Sequence, residues 1–179
     1  MRKLKLHELG RISVDQFKEA PKTPIVVVLD NVRSLHNVGS IFRTSDAFRL
    51  QSIFLCGITS TPPHKEIHKT ALGAEDAVSW RYFDKTTKAL ELLKKEGFLL
   101  VGVEQVEGSI SLPDFKPDKA SKYAVIFGNE VKGVDQAVID QCDLCLEIPQ
   151  YGTKHSFNVS VSAGIVLWEL AGKIIPTIQ

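Results

Sequence analysis

No uninterrupted apolar stretch approaches the ~18 residues of a membrane-spanning helix. The opening Met-Arg-Lys-Leu-Lys-Leu-His has no apolar core of a secretory leader. Cysteine is scarce, with only Cys56, Cys142 and Cys145, too few for a disulfide framework. A reducing, cytoplasmic setting is the expectation that follows. Cys142-Asp-Leu-Cys145 has no second ligand pair at zinc spacing and precedes a strand instead of opening a helix, so two buried or half-buried thiols are expected. Charge of one sign is also missing: 22 Lys and Arg against 21 Asp and Glu leave a net +1. A global basic field is thereby excluded, and any nucleic-acid contact must be local. The motifs of several enzyme classes are absent. There is no Gly-x-Gly-x-x-Gly for a dinucleotide and no Gly-x-Ser-x-Gly nucleophile elbow. Gly133 is followed by Val134 and Asp135 where a Walker loop needs Lys and Ser or Thr, and His64-Lys-Glu-Ile-His68 is not a His-Glu-x-x-His metal helix. No metal site is expected.

What is present is one domain's worth of chain, 179 residues with 44% hydrophobic content. That length buries ~70% of the surface an unfolded chain exposes. Residues 1–23 are polar and basic, and read as a short extension preceding a domain over 24–179. Ser13-Val-Asp-Gln16 has the form of a capping box, predicting a short helix that stops before Pro21. From Ile25 to Leu29 the chain is continuously apolar and β-branched, as a strand covered on both faces must be. Further strands are expected at 52–55, 77–83, 98–103, 123–127 and 144–148. Helical patterns fall between them at 39–48, 65–72, 86–96, 134–141 and 158–173. Residues 105–122 read as one long irregular connection. The alternation predicts an α/β fold, a mostly parallel sheet with helices on both faces. Ligands of such sheets sit beyond the strands' carboxyl ends, so the informative loops are those after Leu29, Val103, Phe127 and Ile148.

The first of these runs Asp30-Asn-Val-Arg33-Ser-Leu-His-Asn37-Val-Gly39 and on to Arg43 and Arg49. Asn37 has the character of a helix N-cap. Arginine holds phosphate through a planar fork, so Arg33, Arg43 and Arg49 beside a strand end suggest an anionic substrate. The competing reading pairs these arginines with Asp30 and Asp46 on a solvated helix. After Phe127 comes Gly128-Asn-Glu130-Val-Lys-Gly133, a tight glycine turn that is either structural or a place for backbone amides to meet a ligand. A carboxylate such as Glu130 over a strand end has few structural duties.

The stretch 147–170 is the most distinctive. An apolar strand ends at Pro149, a polar loop follows, and a helix opens at Ser156 or Asn158. That helix carries Ser160, Ser162, Ala163 and Gly164 among apolar residues. So many small side chains imply that another backbone packs unusually near.

These three loops, in this order, resemble the SpoU (TrmH-like) RNA ribose 2′-O-methyltransferases of the SPOUT superfamily. The first motif is matched by Asn31-x-Arg33 through Asn37-x-Gly39-x-x-x-Arg43, and the second by Phe127-Gly-Asn-Glu130-x-x-Gly133. Ile148-Pro149 with Ser156-Phe157-Asn158-Val159-Ser160 matches the third, and the likeness spans about residues 24 to 172. The resemblance implies a deep C-terminal trefoil knot, S-adenosylmethionine bound bent within it, and an obligate homodimer. A knot cannot be read from periodicity, since threaded connections are very rare. Carried over residue by residue, the cofactor site comprises Val103, Glu104, Phe127, Gly128, Ile148, Gln150 and Phe157. The family's catalytic group is the first-motif arginine, here Arg43, with Asn37, Glu130, Ser156 and Asn158 around it.

The activity so implied is methyl transfer to a ribose 2′-hydroxyl of RNA, with tRNA favoured over rRNA. Arg43 as general base would face about 7 kcal/mol at neutral pH, because guanidinium stays protonated. A clamp on the adjoining phosphate and a partner for the developing alkoxide suits it better. Arg33 and Arg43, with Arg2, Lys3, Lys5 and Arg11 of the basic extension, are the candidate RNA contacts. Two competing functions are a non-catalytic RNA-binding protein of the same fold and a nicotinamide-dependent enzyme. The second lacks its glycine fingerprint.

Overall fold

A computed structural model of the chain describes residues 1–174, so the last five residues of the segment 24–179 lie outside the described residues. The sheet has seven strands: β1 (Thr23–Asp30), β2 (Leu50–Cys56), β3 (Trp80–Phe83), β4 (Phe98–Val103), β5 (Ile110–Ser111), β6 (Lys122–Phe127) and β7 (Leu144–Glu147). Their order across the sheet is β3-β2-β1-β6-β4-β7-β5, and every pairing is parallel. A parallel sheet needs cover on both faces, and alternation along β1 supplies a side for each. Ile25, Val27 and Leu29 point into one apolar layer, and Val26 and Val28 into the other; all are buried.

The first layer is closed by α1 (Val14–Glu19), α2 (Leu35–Ala47), α3 (Lys65–Ala71), α4 (Ala74–Ala77) and α7 (Val159–Ile174). Phe42 of α2 and Leu167 of α7 are fully buried there. The second layer is closed by α5 (Thr86–Lys95), through Ala89, Leu90 and Leu93, and by α6 (Gln136–Ile139), through Val138. Each of the larger of these side chains stabilises the fold by about 1.5–3 kcal/mol.

Local chemistry explains the element ends. The capping box at α1 forms as expected: Ser13 Oγ accepts from Gln16 N–H at 3.2 Å while Gln16 Oε1 accepts from Ser13 N–H at 2.9 Å. Three boundaries differ from the sequence expectation. First, α2 starts at Leu35 because Ser34, not Asn37, is its cap; Ser34 Oγ accepts from the Asn37 N–H, placing Asn37 inside the first turn. Second, the strand expected at 77–83 begins only at Trp80, since Ala74–Ala77 form α4 and bury Ala74 and Ala77 in the first layer. Third, residues 105–122 are not wholly irregular: they contain β5, paired to β7, and a 3₁₀ turn at Leu112–Asp114 that buries Leu112. α7 opens at Asn158, whose carbonyl accepts the first helical bond from Ser162 and whose Oδ1 accepts the Ser160 N–H at 2.9 Å.

Candidate active site

The loops after β4, β6 and β7 meet at the carboxyl ends of their strands and enclose a cavity of about 550 Å³. Its walls include Val103, Phe127, Leu146, Ile148 and Phe157, with Gln105, Glu130, Ser156, Asn158 and Ser162 at polar positions. All seven residues expected to hold a cofactor line this one cavity, together with Glu130, Ser156 and Asn158.

The turn after β6 is built by glycine. Gly128 lies against the backbone of Gly133 and Val134, where an added Cβ would overlap, and Asn129 and Gly133 exchange both main-chain hydrogen bonds at 2.9 Å. Gly133 has φ +70°, a conformation that side chains disfavour. Glu104 Oε2 fills the space where its Cβ would stand, and accepts from Val134 N–H at 3.0 Å. Glu104 thus fastens the β4 loop to the β6 loop and leaves the apolar wall to its neighbours.

Glu130 links this turn to the first motif. Its Oε2 accepts from the Arg33 N–H at 3.0 Å, and its Oε1 from the Ser34 N–H and the Asn37 amide, both at 2.9 Å. Burial would push its carboxyl pKa up; the donors of Arg33, Ser34 and Asn37 outweigh that and hold it below its ordinary value. So Glu130 does have a structural duty, contrary to the sequence expectation: it compensates free donors at the start of α2 as a positioning residue. Asn37 Oδ1 in turn accepts from the Asn158 amide at 3.1 Å, and Asn158 Oδ1 accepts from the Ser160 hydroxyl at 2.6 Å. One chain of hydrogen bonds, Glu130 to Asn37 to Asn158 to Ser160, therefore joins all three motifs.

The last loop is open for a ligand. Among the described residues, no main-chain N–H of residues 150–158 donates a hydrogen bond. It is held from the side instead: His155 carbonyl accepts from the Gln105 amide at 3.1 Å and the Gln150 amide at 3.4 Å. Apolar walls ringed by unengaged main-chain N–H groups fit a flat heteroaromatic ring read at its edge, and so fit an adenosyl group.

Other expected residues lie elsewhere. Arg43 is exposed and lines a separate groove with Ser40, Thr70, Gly164 and Trp168. Six residues beyond Asn37, it stands about 120° around the helix and ~9 Å along it. Within one chain it is not brought to Glu130, Asn37 or Asn158. Arg33 contributes its main chain, while its side chain is exposed. Arg2 closes its fork on Glu8 at 2.8 and 2.9 Å; Lys3 and Lys5 are exposed near it, and Arg11 borders another groove beside α1. The alternative pairing of arginines with Asp30 fails. Asp30 is buried and accepts instead from Thr86, Asn31 and the Asp135 N–H. The thiols of Cys142 and Cys145 are free and flank Gly102, and burial pushes Cys142 up to about 12.

Sequence reasoning passed over Asn129, Gln105 and His155. Asn129 Oδ1 accepts from Val131 and Lys132 N–H, while its amide donates to the Asn31 carbonyl at 2.8 Å. Asparagine between two turn glycines signals such self-bonding. Nothing local marks Gln105 or His155.

The fold and this cavity define a parallel α/β domain with a cavity between three loops at the strand carboxyl ends, where sheets of this kind place their ligands. The chain belongs to the SpoU rRNA Methylase family, which it matches over residues 24–168. A 23S rRNA (guanosine-2′-O-)-methyltransferase, RlmB, of Neisseria meningitidis serogroup B is 31% identical over 155 residues, covering 87% of this chain and 61% of that protein. An rRNA methyltransferase from Sinorhizobium meliloti, crystallised with AdoMet bound, superposes with a TM-score of 0.79 at 24% identity, over 89% of this chain and 61% of that one. The A. aeolicus TrmH/SpoU tRNA modifying enzyme gives 0.78 at 25% identity, over 89% of this chain and 81% of that one. The chain spans a little under two thirds of the length of the curated relatives it matches.

Proposed function

We propose that this protein transfers a methyl group from S-adenosylmethionine to a ribose 2′-hydroxyl of RNA, with tRNA as substrate in preference to rRNA. The observation that carries the reading is the Glu130–Asn37–Asn158 chain of hydrogen bonds, which ties the loops after β1, β6 and β7 together beside the cavity. The AdoMet-bound relative supports the cofactor, and the RlmB relative supports the ribose oxygen as acceptor. The tRNA-modifying relative, matched over 81% of its length, favours tRNA.

S-adenosylmethionine, when bound, supplies an intrinsically electrophilic methyl group on a sulfonium. The protein's task is then to align and to exclude competing geometry. Val103, Phe127, Ile148 and Phe157 would hold the adenine ring, and the unengaged main-chain N–H groups of 150–158 would read its edge. Gly128 and Gly133 let the turn after β6 close beside the cavity, one leaving room for the Gly133 and Val134 backbone and the other for the Glu104 carboxylate. Glu130 keeps the first turn of α2 in place, and through Asn37 it fixes the Asn158 amide beside the cavity. Ser156 stands at the cavity wall, where its hydroxyl can meet the substrate ribose.

Arg43 clamps a neighbouring phosphate and offsets the developing alkoxide charge. Because it faces away from its own chain's cavity, this role calls for a second copy. Gly164 and Trp168 of α7 line the groove with Arg43, and Val161 is exposed on the same helix; Trp168 is 68% exposed, and an added Cβ at Gly164 would meet nothing within 4 Å. The close packing expected of the small residues is therefore not made within the chain at Gly164, and a homodimer across α7 would supply it. The C-terminal knot belongs to the same proposal. β7 enters between β4 and β5, strands that residues 104–109 connect, and α7 lies against the returning segment, with Lys173 Nζ donating to the Phe115 carbonyl at 2.7 Å.

The decisive assay is transfer of labelled methyl to RNA from cells lacking the protein, followed by nucleoside mapping. Ribose-methylated nucleosides in the tRNA fraction are expected; base-methylated products alone would overturn the reading, and no transfer would favour a binding protein. Arg43→Ala should abolish transfer, and Arg43→Lys should leave it at least tenfold reduced, since charge remains but the fork does not.

A further inference from the structure

A second concavity, about 880 Å³, lies between the N-terminal segment and the outer side of α2. Arg11 and Ser13 border it from the residues before α1, Arg43 and Asp46 from α2, and Arg49 from the turn into β2. Three arginines from separate parts of the chain thus share one groove. Among the described residues, none of their guanidinium groups makes an ion pair or a hydrogen bond. Among the described residues that line the groove, Asp46 is the one acid. Burial pushes the Asp46 carboxyl up and the charge of Arg11 pulls it down, so a single carboxylate stands against three unengaged forks. Arg49 holds φ +48°, a left-handed conformation that non-glycine residues seldom adopt. Arg43 belongs to this groove and also to the cleft beside Trp168, so the two are continuous through it.

We infer that this groove carries the phosphodiester backbone of the RNA flanking the methylated nucleotide, with Arg11 and Arg49 as phosphate contacts and Arg43 as the junction with the reaction centre. The inference rests on the RNA-methyltransferase reading above and adds a path for the strand to it. Planar forks with free donors recognise phosphate in two-point fashion, and phosphate contacts set register without reading sequence. Within the basic extension the role falls to Arg11. Arg2 is committed to Glu8.

The test is fluorescence anisotropy of labelled bulk tRNA from about 50 to 200 mM salt, where each lost phosphate contact flattens the plot of log K against log salt by ~0.7–0.9. Arg11→Gln and Arg49→Asn are the variants, asparagine being chosen because it tolerates a left-handed backbone. Each is expected to bind tRNA several-fold more weakly with the slope reduced by about one contact, and the double variant by about two. S-adenosylhomocysteine affinity measured by calorimetry on the same samples should stay within twofold, which shows that the fold is intact. Lys119→Gln, at an exposed lysine outside the groove, should leave the slope unchanged. A double variant with the wild-type slope overturns the groove. If the wild type still methylates RNA in that event, only the groove has failed; if it transfers no methyl, the parent reading has.

Discussion

At the residue scale, the site depends on side chains whose partners are largely main chain. Glu130 looks like a catalytic carboxylate, yet each of its oxygens already accepts from donors of the first motif. Its pKa is lowered on folding, so its contribution is present in full above the ordinary value near 4.5 and is lost as pH falls through the lowered one. Glu130→Gln should cost about 1–2 kcal/mol at neutral pH, with solvent screening allowed for. Urea unfolding should show the gap to wild type narrowing on acidification below the carboxylate range; a gap that widens would refute the charge argument. Gly133→Ala meets both a left-handed φ and the Glu104 carboxylate. It should destabilise by about 1–3 kcal/mol and weaken cofactor binding at least tenfold, measurable by urea titration and calorimetry.

At the element scale, two helices carry the functional geometry by presenting different faces. α2 turns Val38, Ile41 and Phe42 into the core and Asn37 toward the cavity, leaving Arg43 exposed on another side. α7 buries Ala163, Val166, Leu167 and Leu170, while Val161 (48% exposed) and Trp168 (68%) follow an outward spacing. Trp168 packs tilted on Phe48 at 6.1 Å and, with Gly164, lines the groove beside Arg43, the face on which the proposed dimer rests. Trp168→Glu should convert a dimer to monomers in sedimentation velocity and cut methyl transfer at least tenfold, with α7 still formed by circular dichroism. A wild-type monomer at micromolar concentration would count against the shared interface.

At the scale of the whole molecule, ligand binding and folding are linked because the cavity draws on loops after β4, β6 and β7 at once. A ligand seated there, at a concentration of about a hundred times its Kd, adds about 2.7 kcal/mol of stability. For a domain of this size that is a rise in Tm of roughly 5–10 °C. S-adenosylhomocysteine should produce it in a thermal scan and NAD should not; equal shifts from both would point to a general nucleotide site.

Much of this was legible in the chain itself. Apolar runs such as Ile25–Leu29 dictate buried parallel strands, because backbone pairing with both faces covered is the arrangement that satisfies them. The capping box at Ser13 forms as its spacing requires, since it is a contact between residues three apart. Local order also places Gly128, Glu130 and Asn158 at strand and helix ends. What depended on contacts distant in sequence was not legible. Glu130 bonds to residues 93 to 97 positions away and Asn158 to one 121 away, and no local pattern encodes such pairings. The start of α2 moved because a neighbouring serine took the cap, and Arg43 left the cavity because helical rotation turns it aside. The longer apolar strands and the identity of the loops follow from the sequence alone; which side chains meet across those loops, and where short strands such as β5 add to an edge, is decided by tertiary structure, because only the assembled sheet brings their ends together.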